Sequence, residues 1–213
     1  MTRPNKISLN LSGLKIAKRS KICRKVAPII IMADAAANHV TMNQPIETKV
    51  ARTPGANDPM KPNLEKVKLL SCDLRDGKEY PRSPRQTLGG YVLAARALDK
   101  CRAVLARTQG EYHSNCPLDQ RWLKFAEIEY DAFKSFVASG ATDQEVAAWI
   151  GKHARKRSST EVIAWNNKER GLRLSDLPLE IQELMEDYIA KFVPRNRIVY
   201  HWFDVYDLEE ERL

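Results

Sequence analysis

The chain has 213 residues, 43% of them hydrophobic and 29% charged, which is long enough and apolar enough for one hydrophobic core. No apolar run approaches the length needed to span a membrane. The net charge of +8 belongs to the first 33 residues, which hold basic but no acidic side chains; the remainder is formally neutral, which argues against a nucleic-acid-binding body.

The basic leader admits four readings. It can be a solvated arm that touches phosphates without specificity. It can be a signal peptide, with residues 26–33 as a short apolar segment interrupted by Pro28 and followed by Asp34. It can be an acid-free organellar targeting peptide, or untranslated, with the true start at Met32, Met42 or Met60. Cleavage near Ala37 would leave Cys72, Cys101 and Cys116, an odd set that makes no disulfide framework. The chain therefore reads as cytoplasmic. From Asn38 to Pro62 the sequence is rich in Asn, Pro, Thr and Ala, and Pro45, Pro54, Gly55, Pro59 and Pro62 punctuate it. Residues 1–62 are expected to be a disordered leader and linker, and residues 63–213 a single domain.

Helix signals fill the rest. Ser83-Pro84-Arg85-Gln86 has the form of a capping box and predicts a long helix with Leu88, Val92, Ala95, Leu98, Cys101 and Leu105 along one stripe. Arg96, Asp99 and Lys100 take another face of that helix, and Gly110 stops it. Pro117 opens the next helix, which presents Leu118, Trp122 and Phe125. A shorter one carries Phe133, Phe136 and Val137. Thr142 to Glu145 and Ser158 to Glu161 are further capping boxes, and a helix from about Pro178 carries Ile181, Met185, Tyr188 and Phe192. The run from Ile198 to Leu208 suits either helix or strand. No alternating strand–helix pattern and no Asn-Gly hairpin turn is present. The expected fold is all-α, a compact domain of six to seven short helices with Leu98, Trp122, Phe125, Trp149, Trp165 and Leu184 in one core.

These segments resemble a family of short bacterial proteins known as domain of unknown function 5069. The matching blocks are Ser83-Pro84-Arg85, Leu88-Gly89-Gly90, Ala95-Arg96 with Asp99-Lys100, Gly110-Glu111-Tyr112, Asn115-Cys116-Pro117-Leu118-Asp119, Ala164-Trp165-Asn166 and Trp202-Phe203-Asp204. They keep order and spacing over roughly residues 70–209. The resemblance implies a compact, mainly helical, soluble domain. It implies no activity.

Reactive side chains gather at one predicted helix start. Pro117 in the first turn puts Cys116 at the N-cap, where unpaired backbone N–H groups and the helix dipole favour a thiolate. His113 lies nearby as a candidate base, so Cys116 and His113 are the candidate catalytic pair. Arg96, Asp99, Tyr112, Asp119 and Arg121 are the candidate ligand-binding residues of a polar pocket around residues 112–119. Cys116 can equally be structural, packing beneath Trp122, with Asp119 at the third helical position returning a bond to the cap. Gly89-Gly90 inside the expected helix implies either a ligand against bare backbone or close packing of a neighbour.

His153 and His201 show no metal-ligand spacing, and no phosphate-binding or dinucleotide motif is present, so no metal and no cofactor are expected. The acidic tail 209–211 reads as solvated. Two functions fit: a binding or interaction module that takes a small molecule or a protein partner, and a thiol-dependent enzyme or redox sensor built on Cys116.

Overall fold

A computed structural model describes residues 61–213; the basic leader and the linker before Lys61 lie outside the described residues. The described chain is all-α apart from one small hairpin, as the capping boxes and helical periodicities lead one to expect. In chain order it has α1 (Leu64–Leu70), β1 (Thr87–Leu88), β2 (Tyr91–Val92), α2 (Ala94–Ala106), α3 (Pro117–Ala126) and α4 (Tyr130–Ala138). There follow α5 (Asp143–His153), α6 (Ser159–Gly171), a 3-10 turn (Leu174–Asp176), α7 (Leu179–Phe192) and α8 (Trp202–Glu209). The described residues thus hold eight α-helices, beyond the six to seven expected, because α1 forms just after the Pro-rich stretch. Asn63 caps it by accepting the Lys66 N–H at 3.0 Å.

The capping boxes at Thr142 and Ser158 form as their spacing requires, each with the hydroxyl on the third backbone N–H and the glutamate returning to the cap. The box read at Ser83 does not form. Ser83 Oγ instead accepts the Arg85 N–H at 3.2 Å and donates to Asp207 at 3.0 Å, closing a turn rather than opening a helix. The long helix therefore begins at Ala94, eleven residues later than Ser83, after a hairpin.

That hairpin corrects the reading of Gly89-Gly90 as helical. β1 and β2 pair antiparallel across Leu88 and Tyr91, with Gly89 at φ +59° and Gly90 at φ +92°. A two-residue turn with both central residues in the left-handed region matches strand twist, and glycine adopts it without penalty. Asn166 of α6 clamps the turn, accepting the Val92 N–H at 3.0 Å and donating to the Gly90 carbonyl at 2.7 Å. A Cβ on Gly89 would sit 2.9 Å from Ile150 Cγ2, whereas one on Gly90 would meet nothing within 4 Å. Gly90→Ala should therefore cost only its backbone strain, about 1–2 kcal/mol. Gly89→Ala adds overpacking of about 1–3 kcal/mol and should melt well below it. Equal melting temperatures for the two variants would show that Ile150 yields.

Helix α2 is the axis of the domain. A single buried stripe was expected, but every residue from Ala94 to Ala103 is buried. Ala94, Ala95, Ala97 and Ala103 let neighbours approach closely all round, so its charged side chains are enclosed with the apolar ones. Leu98, Cys101, Trp122, Phe133, Ile150, Ile181, Met185, Trp202 and Phe203 belong to one core around it. Phe125, Trp149, Trp165 and Leu184 pack against this core half-buried rather than inside it. Trp165 stacks on Phe125 with ring centres 4.5 Å apart, and Tyr91 meets both rings edge-on. The ambiguous run from Ile198 divides: His201 bridges to Arg173 in extended form, and α8 starts at Trp202.

Candidate functional site

The charged residues of α2 face different partners, and burial explains why. An enclosed ion persists only when it is paired and hydrogen-bonded. Arg96 donates to both carboxylate oxygens of Glu210 at 2.8 and 2.6 Å, and the Tyr112 hydroxyl donates to the same carboxylate at 2.8 Å. Burial pushes the Glu210 pKa up, but Arg96 and Arg212 outweigh it and hold the carboxyl below its ordinary value. Asp99 takes the Arg82 guanidinium in a two-pronged pair, at 2.7 and 2.9 Å. Arg121 pairs likewise with Glu169 of α6 at 2.6 and 2.8 Å, its guanidinium lying over the Trp202 ring.

Lys100 connects α2 to the start of α3. Its ammonium donates to Cys116 Sγ at 3.2 Å and pairs with Asp119 Oδ1 at 2.7 Å. Lys100, Asp119 and Cys116 are 1%, 2% and 6% exposed, so the contact is enclosed. Cys116 is the N-cap of α3 by position, with Pro117 in the first turn, yet its side chain makes no capping hydrogen bond. Asp119 likewise makes no bond back to the cap; its Oδ1 goes to Lys100, and its buried Oδ2 has no hydrogen-bond partner among the described residues. Burial, and then the neighbouring Cys116, push the Asp119 carboxyl up to about 7 against the pull of Lys100. His113 is exposed on the loop before α3.

The structure thus gathers Cys116 and Asp119 into one cluster and Arg96 and Tyr112 into another, and ties Asp99 and Arg121 to separate partners. An open pocket made of all these groups does not form among the described residues. Its charges close on each other or on residues left outside the expected pocket: Lys100, Glu169, Arg82 and Glu210. Glu210 is the clearest omission. The acidic tail read as solvated has Glu209 and Glu210 buried, the first accepting from Tyr188 at 2.5 Å. The signal was the apolar spacing of Trp202, Val205 and Leu208, which buries the helix that carries those carboxylates.

The outer side of the same loop borders an open cleft. Tyr130 at the start of α4 donates to Ser114 at 2.9 Å, and Gln120 donates to Asn115, which sits at φ +62°. Together with Leu123, Ile128, Lys124, Glu127, Glu129 and Asp131, the side chains of Asn115, Gln120 and Tyr130 line a concavity of about 550 Å³. Glu127 is occupied by Arg155 and Arg157. Among the described residues no ion pair engages Glu129 or Asp131.

The profile of a family described as domain of unknown function 5069 matches residues 78–212, well over half of the chain. The chain belongs to the domain of unknown function 5069 family. The match takes in the hairpin, α2, the Lys100–Cys116–Asp119 cluster, the cleft and α8, so everything described above lies within the family's domain except α1. No curated protein matches the chain. Among the described residues no helix of this domain is long and apolar enough to cross a membrane, and no group of three or more His, Cys, Asp or Glu side chains could hold a metal ion.

Proposed function

We propose that this domain is a binding module that holds a small polar ligand bearing a cationic group in the cleft between α3 and α4. The observation that carries the reading is the lining of the cleft: three carboxylates against one lysine, with Glu129 and Asp131 not spent on internal ion pairs. The cleft also adjoins the C-terminal end of α3, where the helix dipole favours a positive charge. Arg82, Arg85, Arg96, Arg102 and Arg121 are bound to carboxylates rather than presented to phosphates, which supports a ligand other than nucleic acid. Free thiols at Cys72, Cys101 and Cys116 suit a reducing, cytoplasmic setting. In this reading residues 63–213 are the folded unit and the leader takes no part.

Putrescine and agmatine are suitable probes, added to the full chain and to a protein that starts at Met60. Both proteins should melt at the same temperature and be stabilised alike, by about 2.7 kcal/mol at a hundredfold excess over Kd. Amide shifts should centre on Asn115, Gln120 and Tyr130, and Glu129→Gln with Asp131→Asn should abolish them. Binding that survives the double variant, or shifts centred elsewhere, would sink the cleft as the site. A lower melting temperature for the shorter protein would overturn the boundary.

A second reading, a thiol-based sensor, is favoured by one observation: the buried ammonium of Lys100 in hydrogen-bond contact with Cys116 Sγ.

A further inference from the structure

Lys100, Cys116 and Asp119 form a chemical unit of their own, and the cleft makes no use of it. Three ionisable groups share a site with one cation. A buried site tolerates little net charge, so the single ammonium supports one negative charge, carried by the carboxylate or by the sulfur. Asp119 Oδ2, enclosed and without a hydrogen-bond partner among the described residues, is the place where a proton can rest when the sulfur carries the charge. Cys101 follows Lys100 in sequence but is no competitor, since burial pushes its thiol up to about 12. Cys72 has its thiol raised as well, by burial and by Asp99.

The geometry points to a reversible covalent switch: when hydrogen peroxide oxidises Cys116, its sulfur bonds to Lys100 Nζ as a sulfenamide. This inference rests on the thiol reading above. In the first step the thiolate sulfur attacks one peroxide oxygen and the O–O bond breaks. Sulfur is oxidised to S–OH, and the other oxygen, reduced to hydroxide, takes the Asp119 proton and leaves as water. The Asp119 carboxylate then removes a proton from Lys100 across their contact of 2.7 Å. The amine lone pair attacks sulfur, the N–S bond forms and the S–OH bond breaks. The departing hydroxide takes the second proton lost from nitrogen and leaves as water. Thiolate, ammonium and one peroxide have become sulfenamide and two waters, with Asp119 protonated again. The site ends with no ion in it, which suits its burial. An external thiol reverses the bond by attacking sulfur and releasing the lysine.

The test is mass spectrometry of the full, reduced chain after brief treatment with hydrogen peroxide. The expected product is lighter by about 2 Da and reverts with dithiothreitol. Trypsin should fail to cut after Lys100, leaving residues 97–102 joined to residues 108–121, and Lys100→Arg should give no such product while Cys116 still oxidises. If Cys116 only gains oxygen, or joins Cys101 in a disulfide that leaves the Lys100 cut intact, the switch is overturned and the thiol reading stands. If Cys116 resists peroxide under conditions that oxidise free cysteine, both fall. The wild-type chain alone decides between these results, whatever the fate of the variant.

Discussion

Arg96→Met will destabilise the domain by about 3–5 kcal/mol, the range for removing one partner of an enclosed ion pair. The guanidinium and its partner carboxylate are both buried, and the variant leaves Glu210, among the described residues, with Arg212 and the Tyr112 hydroxyl. The effect must depend on pH in a defined direction. Glu210 is held below its ordinary 4.5, so in the wild type it contributes stability that is present above that value and lost as pH falls through the folded value. Removing Arg96 shrinks that contribution. The gap between wild type and variant should thus be widest above about pH 5 and narrow in acid, as Glu210 takes a proton. Urea unfolding across that range measures it. A change within about 1 kcal/mol at neutral pH, typical of an exposed salt bridge, would mean that the pair is hydrated and the core around α8 looser than described.

Lys100→Met should show a steeper pH dependence of comparable size. The substitution keeps a long apolar stem in the space of the lysine but removes the cation that, among the described residues, pairs with Asp119. The carboxyl, already pushed up to about 7 by burial and by Cys116, must rise further. A raised carboxyl pKa gives stability that is full below the unfolded value near 3.8 and is lost as pH climbs through the folded one. The variant should therefore run parallel to wild type below about pH 6 and fall behind by up to about 1.4 kcal/mol per pH unit above about 7, where the wild-type carboxyl ionises and the variant's stays protonated. Asp119→Asn on the Lys100→Met background should flatten that slope. A penalty independent of pH would show that the cost is packing, and that Asp119 is ionised without help from the lysine.

Local signals made much of the framework legible. The reciprocal boxes at Thr142 and Ser158, Pro117 in the first turn of α3 and the apolar spacing of α7 are settled within four residues of chain, so they survive any tertiary arrangement. Ser83 failed because the same hydroxyl pattern serves a turn when a distant acceptor competes, here Asp207 of α8. The Gly-Gly pair was ambiguous by itself; Ile150 and Asn166, both far along the chain, decide that it is a turn.

The candidate site divides along the same line. Sequence by itself determined that Cys116 stands at the N-cap position of a helix and that Tyr112, Cys116 and Asp119 lie within one turn or loop of each other, because those relations are local. Which charge answers which was decided only by tertiary structure. Arg96 and Glu210 are 114 residues apart, and Arg121 and Glu169 are 48 apart. An ion pair leaves no mark on local periodicity, and a charged residue on a helix reads as solvated until some other element covers it. The small side chains of α2 allowed that cover on every side. Desolvation then forced each enclosed charge to find its counterpart, turning a pocket inferred from polar residues into a set of closed pairs.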